Sequence, residues 1–212
     1  MTLNTMIAVA IVIGYLLGSI PFAYIVGRLY KGIDIRQAGG GNVGALNTIR
    51  EIGLIPGLVV LIADIAKGSV TVLISAWMDL PLAVMFIAGF ASILGHNWPI
   101  FLKFKGGKGA ATTIGVLLAL APLETAVSFM IMVIVTIITS NFRLAIACGL
   151  ALLPLIIWQL NGSAMLIIYS LALSLFLILR SLPSFREAMA HTGRKSLIFD
   201  KERHFWQAKK NK

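Results

Sequence analysis

Long apolar runs alternate with short polar loops along most of the chain, and this pattern gives the first structural prediction. A helix needs roughly 20 apolar residues to cross the hydrocarbon core of a bilayer. Seven runs approach or reach that length, near 5–29, 53–78, 81–100, 110–122, 124–141, 143–160 and 162–181. The pattern therefore predicts an all-α integral membrane protein with seven transmembrane helices.

A count of five spans is the main alternative. Only Pro122 and Glu124 separate the fourth run from the fifth, and the fourth run is short. The first run, 6–30, has no basic segment before it and carries Arg28 near its end. We therefore interpret it as a retained span and not as a cleaved signal peptide.

Composition supports a membrane environment. Hydrophobic residues make up 58% of the 212-residue chain and charged residues only 12%, and the mean hydropathy is +0.93, which is too apolar for an ordinary water-soluble domain. The single cysteine, Cys148, lies inside an apolar run. A disulfide framework is therefore excluded.

The formal net charge of +10 is confined to alternate loops, so it predicts topology. Basic residues fill the first loop, the third loop and the segment after Arg180, whereas the turns at Asp79, Glu124 and Asn161 carry none. Basic loops stay on the cytoplasmic side, which places the N-terminus outside and the C-terminus in the cytoplasm for either odd count. We predict a multi-span membrane domain over 1–182 and a basic cytoplasmic tail over 183–212. The charge forms no single stripe of the kind that nucleic acids bind.

The first loop is rich in glycine and asparagine and ends in an arginine. Glycine lets backbone N–H groups approach a phosphate closely, and an arginine adds a bidentate fork. A flexible connector is the alternative interpretation. Asn42 is the polar candidate for a direct catalytic contact. The predicted phosphate-binding residues are Gly39, Gly40, Gly41, Gly44, Asn47 and Arg50.

The third loop combines three lysines with aromatic residues and closely spaced glycines between 95 and 109. It predicts a cationic, backbone-rich concavity for a phosphate attached to an apolar group. It is not a Walker A loop, because Leu102 stands where glycine is required and Ala110 is close to where a magnesium-binding hydroxyl would lie; no nucleotide is expected. Interfacial anchoring is the alternative. Lys108 is the candidate catalytic residue of this loop, and the predicted phosphate-binding residues are Lys105, Gly106, Gly107, Gly109 and Thr112.

Four charged or titratable residues in or near the spans complete the candidate set. His96 follows the third run and is expected to act as a general base or to orient a substrate hydroxyl. Asp64 and Lys67 are three residues apart on one helical face, which suits either a structural ion pair or a site-lining role. Arg143 is either an interfacial anchor or another phosphate contact.

Five segments together resemble one known family. They are Gly18-Ser19-Ile20-Pro21, Gly27-Arg28, the Gly-Asn-Val-Gly-Ala segment with Asn47 and Arg50, Asp64 with Lys67-Gly68, and the stretch 95–109. With these segments in this order, the chain is similar to the bacterial membrane-embedded acyl-phosphate:glycerol-3-phosphate 1-acyltransferases, and the similarity covers most of the chain.

The resemblance implies transfer of a fatty acyl group from acyl phosphate to the 1-hydroxyl of glycerol 3-phosphate. The products would be lysophosphatidic acid and phosphate, at the start of phospholipid biosynthesis in the cell inner membrane, with the active site facing the cytoplasm. It implies no cofactor and no metal. Arg50 and Lys108 would clamp phosphates, and His96 with Asn42 would orient the attacking hydroxyl. Ser19, Asp64, Lys67 and Arg143 would line the site.

The sequence also departs from that family's pattern. Gly40 stands where the family usually has serine, Leu46 where it usually has threonine, and Arg143 near an expected serine. The tail pattern is incomplete, with His191 and Glu202 as its candidates. These departures keep two alternatives open: a non-catalytic paralogue that binds phosphorylated lipids, and a small transporter of phosphorylated metabolites, although no internal repeat supports the transporter.

Overall fold

The computed structural model describes residues 2–191, without the side chains of Arg143 and of residues 183–191. Every regular element in that range is helical. The helices are α1 Leu3–Ser19, α2 Phe22–Lys31, α3 Ala45–Glu51, α4 Leu54–Trp77, α5 Leu82–Asn97, α6 Ala110–Leu120, α7 Pro122–Thr139, α8 Phe142–Leu160 and α9 Ala164–His191. Short 3-10 turns at Ile35–Gln37 and Ile100–Leu102 interrupt two of the loops.

Five of the described segments are long and apolar enough to cross a membrane: Leu3–Lys31, Leu54–Trp77, Leu82–Leu102, Pro122–Thr139 and Ala164–Leu182. Ala110–Leu120 and Leu144–Leu160 are apolar but shorter. At 1.5 Å per residue, the 11 residues of α6 extend about half the thickness of a hydrocarbon core. The all-helical membrane fold is confirmed, while seven spans and the orientation of the termini stay predictions.

The predicted tail begins inside a helix. α9 continues past the predicted boundary at 182 to His191, so the backbone shows no break there. The division into a 1–182 domain and a 183–212 tail stays a prediction, and Glu202 lies outside the described residues.

The chain divides into two compact units between Pro122 and Leu123. In the first unit α1 packs against α5, and α4 packs against α6. A Cβ at Gly18 would collide with the backbone of Ser92, and one at Gly68 would collide with the carbonyl of Thr112. Small residues let helices approach at backbone distance in the absence of a hydrophobic driving force. These contacts bring the ends of α1, α5 and α6 to the middle of α4.

In the second unit, α7, α8 and α9 are joined by serine hydroxyls. Ser128 in α7 donates to the carbonyl of Gly149 in α8 at 2.8 Å, and Ser174 in α9 donates to the carbonyl of Leu150 at 3.4 Å. Asn141 caps α8, because its Oδ1 accepts the N–H of Leu144 at 3.1 Å. Such hydrogen bonds replace water as partners for polar groups in an apolar surrounding.

Candidate active site

A small pocket lies in the first unit where the end of α1, the middle of α4 and the end of α5 meet. Its wall combines backbone at the break between α1 and α2 with three ionisable side chains. The lining residues are Gly18, Ser19, Ile20, Pro21, Phe22, Val43, Asp64, Lys67, His96 and Pro99. The break arises at Pro21, which has no N–H to continue the helix.

Asp64, Lys67 and His96 form a buried chain of ionisable side chains at this pocket. The Nζ of Lys67 lies 2.8 Å from Oδ1 of Asp64 and 2.8 Å from Nδ1 of His96, and it donates to the carbonyl of Ile20 at 3.2 Å. The side chains are only 2–7% exposed. The ion pair between Asp64 and Lys67 that their spacing predicts is confirmed. His96, 29 residues further on, joins it only through the fold.

Asn47 holds the first loop in shape. Its amide nitrogen donates to the carbonyls of Ile35 and Ala38 at 3.3 and 3.1 Å. Its Oδ1 accepts the N–H of Gly40 at 3.3 Å. The residue is buried, so the structure gives this predicted phosphate ligand a structural role in holding the loop against α3.

The glycines of the first loop have unequal surroundings. Gly39 and Gly41 have φ of +55° and +66°, which favours glycine, whereas a Cβ at Gly40 would meet nothing within 4 Å. Gly41 donates to the carbonyl of Ala38 at 3.0 Å, and Gly44 donates to the carbonyl of Asn42 at 3.1 Å. Because these amides already donate inside the loop, they shape it, and phosphate binding here stays a prediction.

An ionic cluster that the sequence analysis did not single out supports the start of this loop. Asp34 accepts the guanidinium of Arg36 through both oxygens, at 3.0 and 2.7 Å, and Arg28 lies 3.8 Å away. Both arginines stack on the ring of Tyr24, at 5.3 and 5.2 Å from its centre. The hydrogen bonds from Arg36 lower the pKa of Asp34 from 3.8 to about 2. The two-residue spacing of Asp34 and Arg36 in the sequence could have indicated this ion pair.

Replacing Asp34 with asparagine removes the ion pair with Arg36 and is expected to lower the stability of the purified protein by about 1 kcal/mol at neutral pH. The loss is small because the guanidinium group of Arg36 is partly exposed to solvent, which weakens the pair. The lowered pKa means that the contribution is complete above about pH 4 and is lost as pH falls toward 2. Thermal midpoints measured from about pH 6 down to about pH 2 should therefore converge for the two proteins at the acidic end of the series. A constant difference across this range would contradict the assignment.

The third loop folds back onto His96. The N–H of Gly107 donates to the carbonyl of His96 at 3.1 Å, and the N–H of Phe104 donates to the carbonyl of Pro99 at 3.0 Å. A Cβ on Gly107 would collide with Nε2 of His96 and would lie 2.6 Å from the carbonyl oxygen of Val43. The first and third loops therefore meet beside Nε2 of the imidazole ring, as a shared site requires.

The remaining predicted residues occupy different environments. Arg50 and Lys105 are exposed and Lys108 is half-buried. Thr112 is fully buried, its carbonyl faces Gly68, and its hydroxyl has no hydrogen-bond partner among the described residues. Ser19 is buried and donates to the carbonyl of Tyr15 at 2.8 Å. Thr112 therefore lies in a helix contact, whereas Ser19 lies in the wall of the pocket.

Two predicted residues lie beyond this unit. Arg143 is in the first turn of α8 and His191 is the last residue of α9, and both side chains are outside the described set. Within residues 2–191, the described side chains contain no group of three or more His, Cys, Asp or Glu that could hold a metal ion.

Comparison with known proteins identifies the family of the chain. The family model described as glycerol-3-phosphate acyltransferase matches residues 8–191. The chain belongs to this family. The match includes both loops and the Asp64, Lys67 and His96 chain, so the whole candidate site falls within it.

Curated relatives and solved structures extend the comparison. Glycerol-3-phosphate acyltransferase 2 of Moorella thermoacetica is 48% identical over 148 residues, covering 70% of this chain and 76% of the relative. Glycerol-3-phosphate acyltransferase 1 of Dehalococcoides mccartyi is 38% identical over 198 residues, covering 90% and 95%. The crystal structure of PlsY (YgiH), an integral membrane glycerol 3-phosphate acyltransferase, in its glycerol 3-phosphate form superposes with a TM-score of 0.79 at 30% identity, covering 87% of this chain and 92% of that one.

Proposed function

We propose that the protein transfers a fatty acyl group from acyl phosphate to the 1-hydroxyl of glycerol 3-phosphate, as the first acylation of phospholipid biosynthesis. The observation that carries the proposal is the meeting of the two glycine-rich loops at His96, through Gly107 and Val43, in a chain of the acyltransferase family. The related PlsY has been solved in glycerol 3-phosphate and lysophosphatidic acid forms, which supports the acceptor and the product.

The charge of the two loops suits substrates that both carry phosphate. Arg50 lies in α3 directly after the first loop, and Lys108 lies in the third loop, so a cation accompanies each loop. Guanidinium and ammonium groups make charge-assisted hydrogen bonds that are roughly twice as strong as neutral ones. We assign Arg50 and Lys108 to the two phosphates, with Lys105 at the exposed rim.

The reaction needs positioning more than a protein nucleophile. Acyl phosphate is a mixed anhydride, so its carbonyl carbon is already activated. The 1-oxygen of glycerol 3-phosphate bonds to that carbon, the bond from carbon to the phosphate oxygen breaks, and the hydroxyl proton leaves with the phosphate. His96 and Asn42 orient the hydroxyl, and the cations stabilise the departing phosphate.

We place the site at the cytoplasmic face of the cell inner membrane. The basic residues that surround both loops support this orientation. Glycerol 3-phosphate would arrive from the cytosol, and the alkyl chain of the donor would remain in the bilayer.

The direct test supplies purified protein in lipid nanodiscs with palmitoyl phosphate and glycerol 3-phosphate. Lysophosphatidic acid should appear together with an equal amount of phosphate, measured by mass spectrometry and a phosphate assay. Palmitoyl-coenzyme A in place of palmitoyl phosphate tests the donor and should give no product. Binding of both substrates without turnover would instead support the non-catalytic paralogue.

Gly40→Ser is expected to maintain or raise the rate in this assay. A Cβ at Gly40 meets no atom within 4 Å, and a hydroxyl bonded to phosphate contributes on the order of 1.5–3 kcal/mol. The values of kcat/KM measured separately for glycerol 3-phosphate and for palmitoyl phosphate show which of the two substrates binds the new hydroxyl group. A tenfold loss with either substrate would show that this loop is built differently from that of the family.

A further inference from the structure

The geometry points to Lys67 as a positioning residue that holds His96 as an Nε2–H donor, directed at the place where the first and third loops meet. The inference rests on the proposed function and assigns the proton on the imidazole. It also gives the buried ion pair between Asp64 and Lys67 a role in orienting His96, beyond its contribution to packing.

The surroundings of Nζ decide which atom of the pair donates. Lys67 reaches Oδ1 of Asp64, Nδ1 of His96 and the carbonyl oxygen of Ile20 at 2.8, 2.8 and 3.2 Å. An ammonium group has three donors and no acceptor. The contact to Asp64 is a close ion pair without hydrogen-bond geometry at Oδ1, and it favours the charged amine. Nδ1 of His96 is therefore an acceptor.

The position of the imidazole proton follows from that contact. A neutral imidazole carries one proton, and when Nδ1 accepts, the proton is on Nε2. A second proton on Nδ1 would place two cations 2.8 Å apart beside a single carboxylate, in side chains that are only 3–7% exposed. His96 therefore stays neutral with its N–H at Nε2.

The Nε2 end of the ring faces the contact between the loops. A methyl group on Gly107 would collide with Nε2, and the carbonyl oxygen of Val43 lies 2.6 Å from the same point. The N–H is thus directed at the boundary between the loops assigned to the two phosphates. His96 orients an oxygen by donating to it and does not remove a proton, which agrees with transfer of the hydroxyl proton to the departing phosphate. This replaces the general-base alternative of the sequence analysis.

Two substitutions at His96 separate a donor from a base. The glutamine amide reaches the position of Nε2, whereas the asparagine amide reaches that of Nδ1. If the position of the donor matters, the kcat of His96→Gln is expected to stay within about tenfold of the wild-type value. The kcat of His96→Asn is expected to fall by about a hundredfold or more. Equal losses in two variants that purify with wild-type thermal midpoints would overturn the assignment, because neither amide can act as a base.

A spectroscopic test needs no turnover. Protein labelled with 15N-histidine has three imidazole rings, and the His96→Gln variant identifies the signals of His96. Wild-type protein should show an unprotonated Nδ1 and a protonated Nε2. The carboxylate of Asp64 lies 3.5 Å from Nδ1 of His96, and without the ammonium group in Lys67→Met it should draw the proton to Nδ1.

The two proposals fail in different ways. A wild-type ring protonated at Nδ1 would overturn the role of Lys67 even if lysophosphatidic acid forms. If the spectrum shows the expected protonated Nε2 but the protein makes no product from palmitoyl phosphate, the proposed function is contradicted and the role of Lys67 is not. Because the wild-type spectrum alone decides the ring state, poor folding of Lys67→Met leaves the test intact.

Discussion

Lys108→Ala is expected to lower kcat/KM for lysophosphatidic acid formation by at least about a hundredfold. Lys108 lies between Gly107 and Gly109, directly after the residue that contacts His96, and is half-buried. A hydrogen bond between charged partners contributes about 1.5–3 kcal/mol, and stabilisation of charge that develops on a departing phosphate adds to this value. Initial rates over a grid of palmitoyl phosphate and glycerol 3-phosphate concentrations measure the loss.

Lys103→Ala is the matched control in the same loop. Lys103 is exposed and is not among the site residues, so its rate should stay within about twofold of wild type. Arg50→Ala should resemble Lys108→Ala, and the substrate whose KM rises more identifies which phosphate each cation binds. Equal activity of Lys108→Ala and Lys103→Ala would contradict the phosphate clamp.

The helices were largely predictable because apolar runs of this length have few other stable forms in a membrane. All seven predicted runs contain helix in the structure. The break within the first run at Pro21 does not appear in hydropathy, because Phe22 and its successors continue the apolar pattern. The break matters, since it exposes the carbonyl of Ile20 to Lys67.

The candidate site was predictable in its residues and less so in its contacts. Spacing alone predicts the pair between Asp64 and Lys67, because residues three apart share a helical face. The addition of His96 depends on how α4 and α5 pack, which no local pattern contains. Asn47 shows the opposite case: its motif indicates a ligand, but the backbone of its own loop uses its amide.

Gly107→Ala is expected to reduce activity by at least about a hundredfold and to lower the thermal midpoint. The new Cβ would collide with Nε2 of His96 and lie 2.6 Å from the carbonyl oxygen of Val43. Overpacking of this kind typically costs about 1–3 kcal/mol. Separating the loops by about 1 Å is enough for a large rate loss, since misplacement of that size lowers turnover by about a hundredfold. Turnover and thermal unfolding in nanodiscs measure the two effects.

Gly40→Ala distinguishes this collision from the general cost of adding a methyl group to a glycine-rich loop. The Cβ at Gly40 has open space around it, so the thermal midpoint should equal that of wild type, while Gly107→Ala unfolds at a lower temperature. If Gly107→Ala instead retained both wild-type turnover and wild-type stability, the first and third loops would not be in contact through His96. The shared phosphate site, which depends on that contact, would then be contradicted.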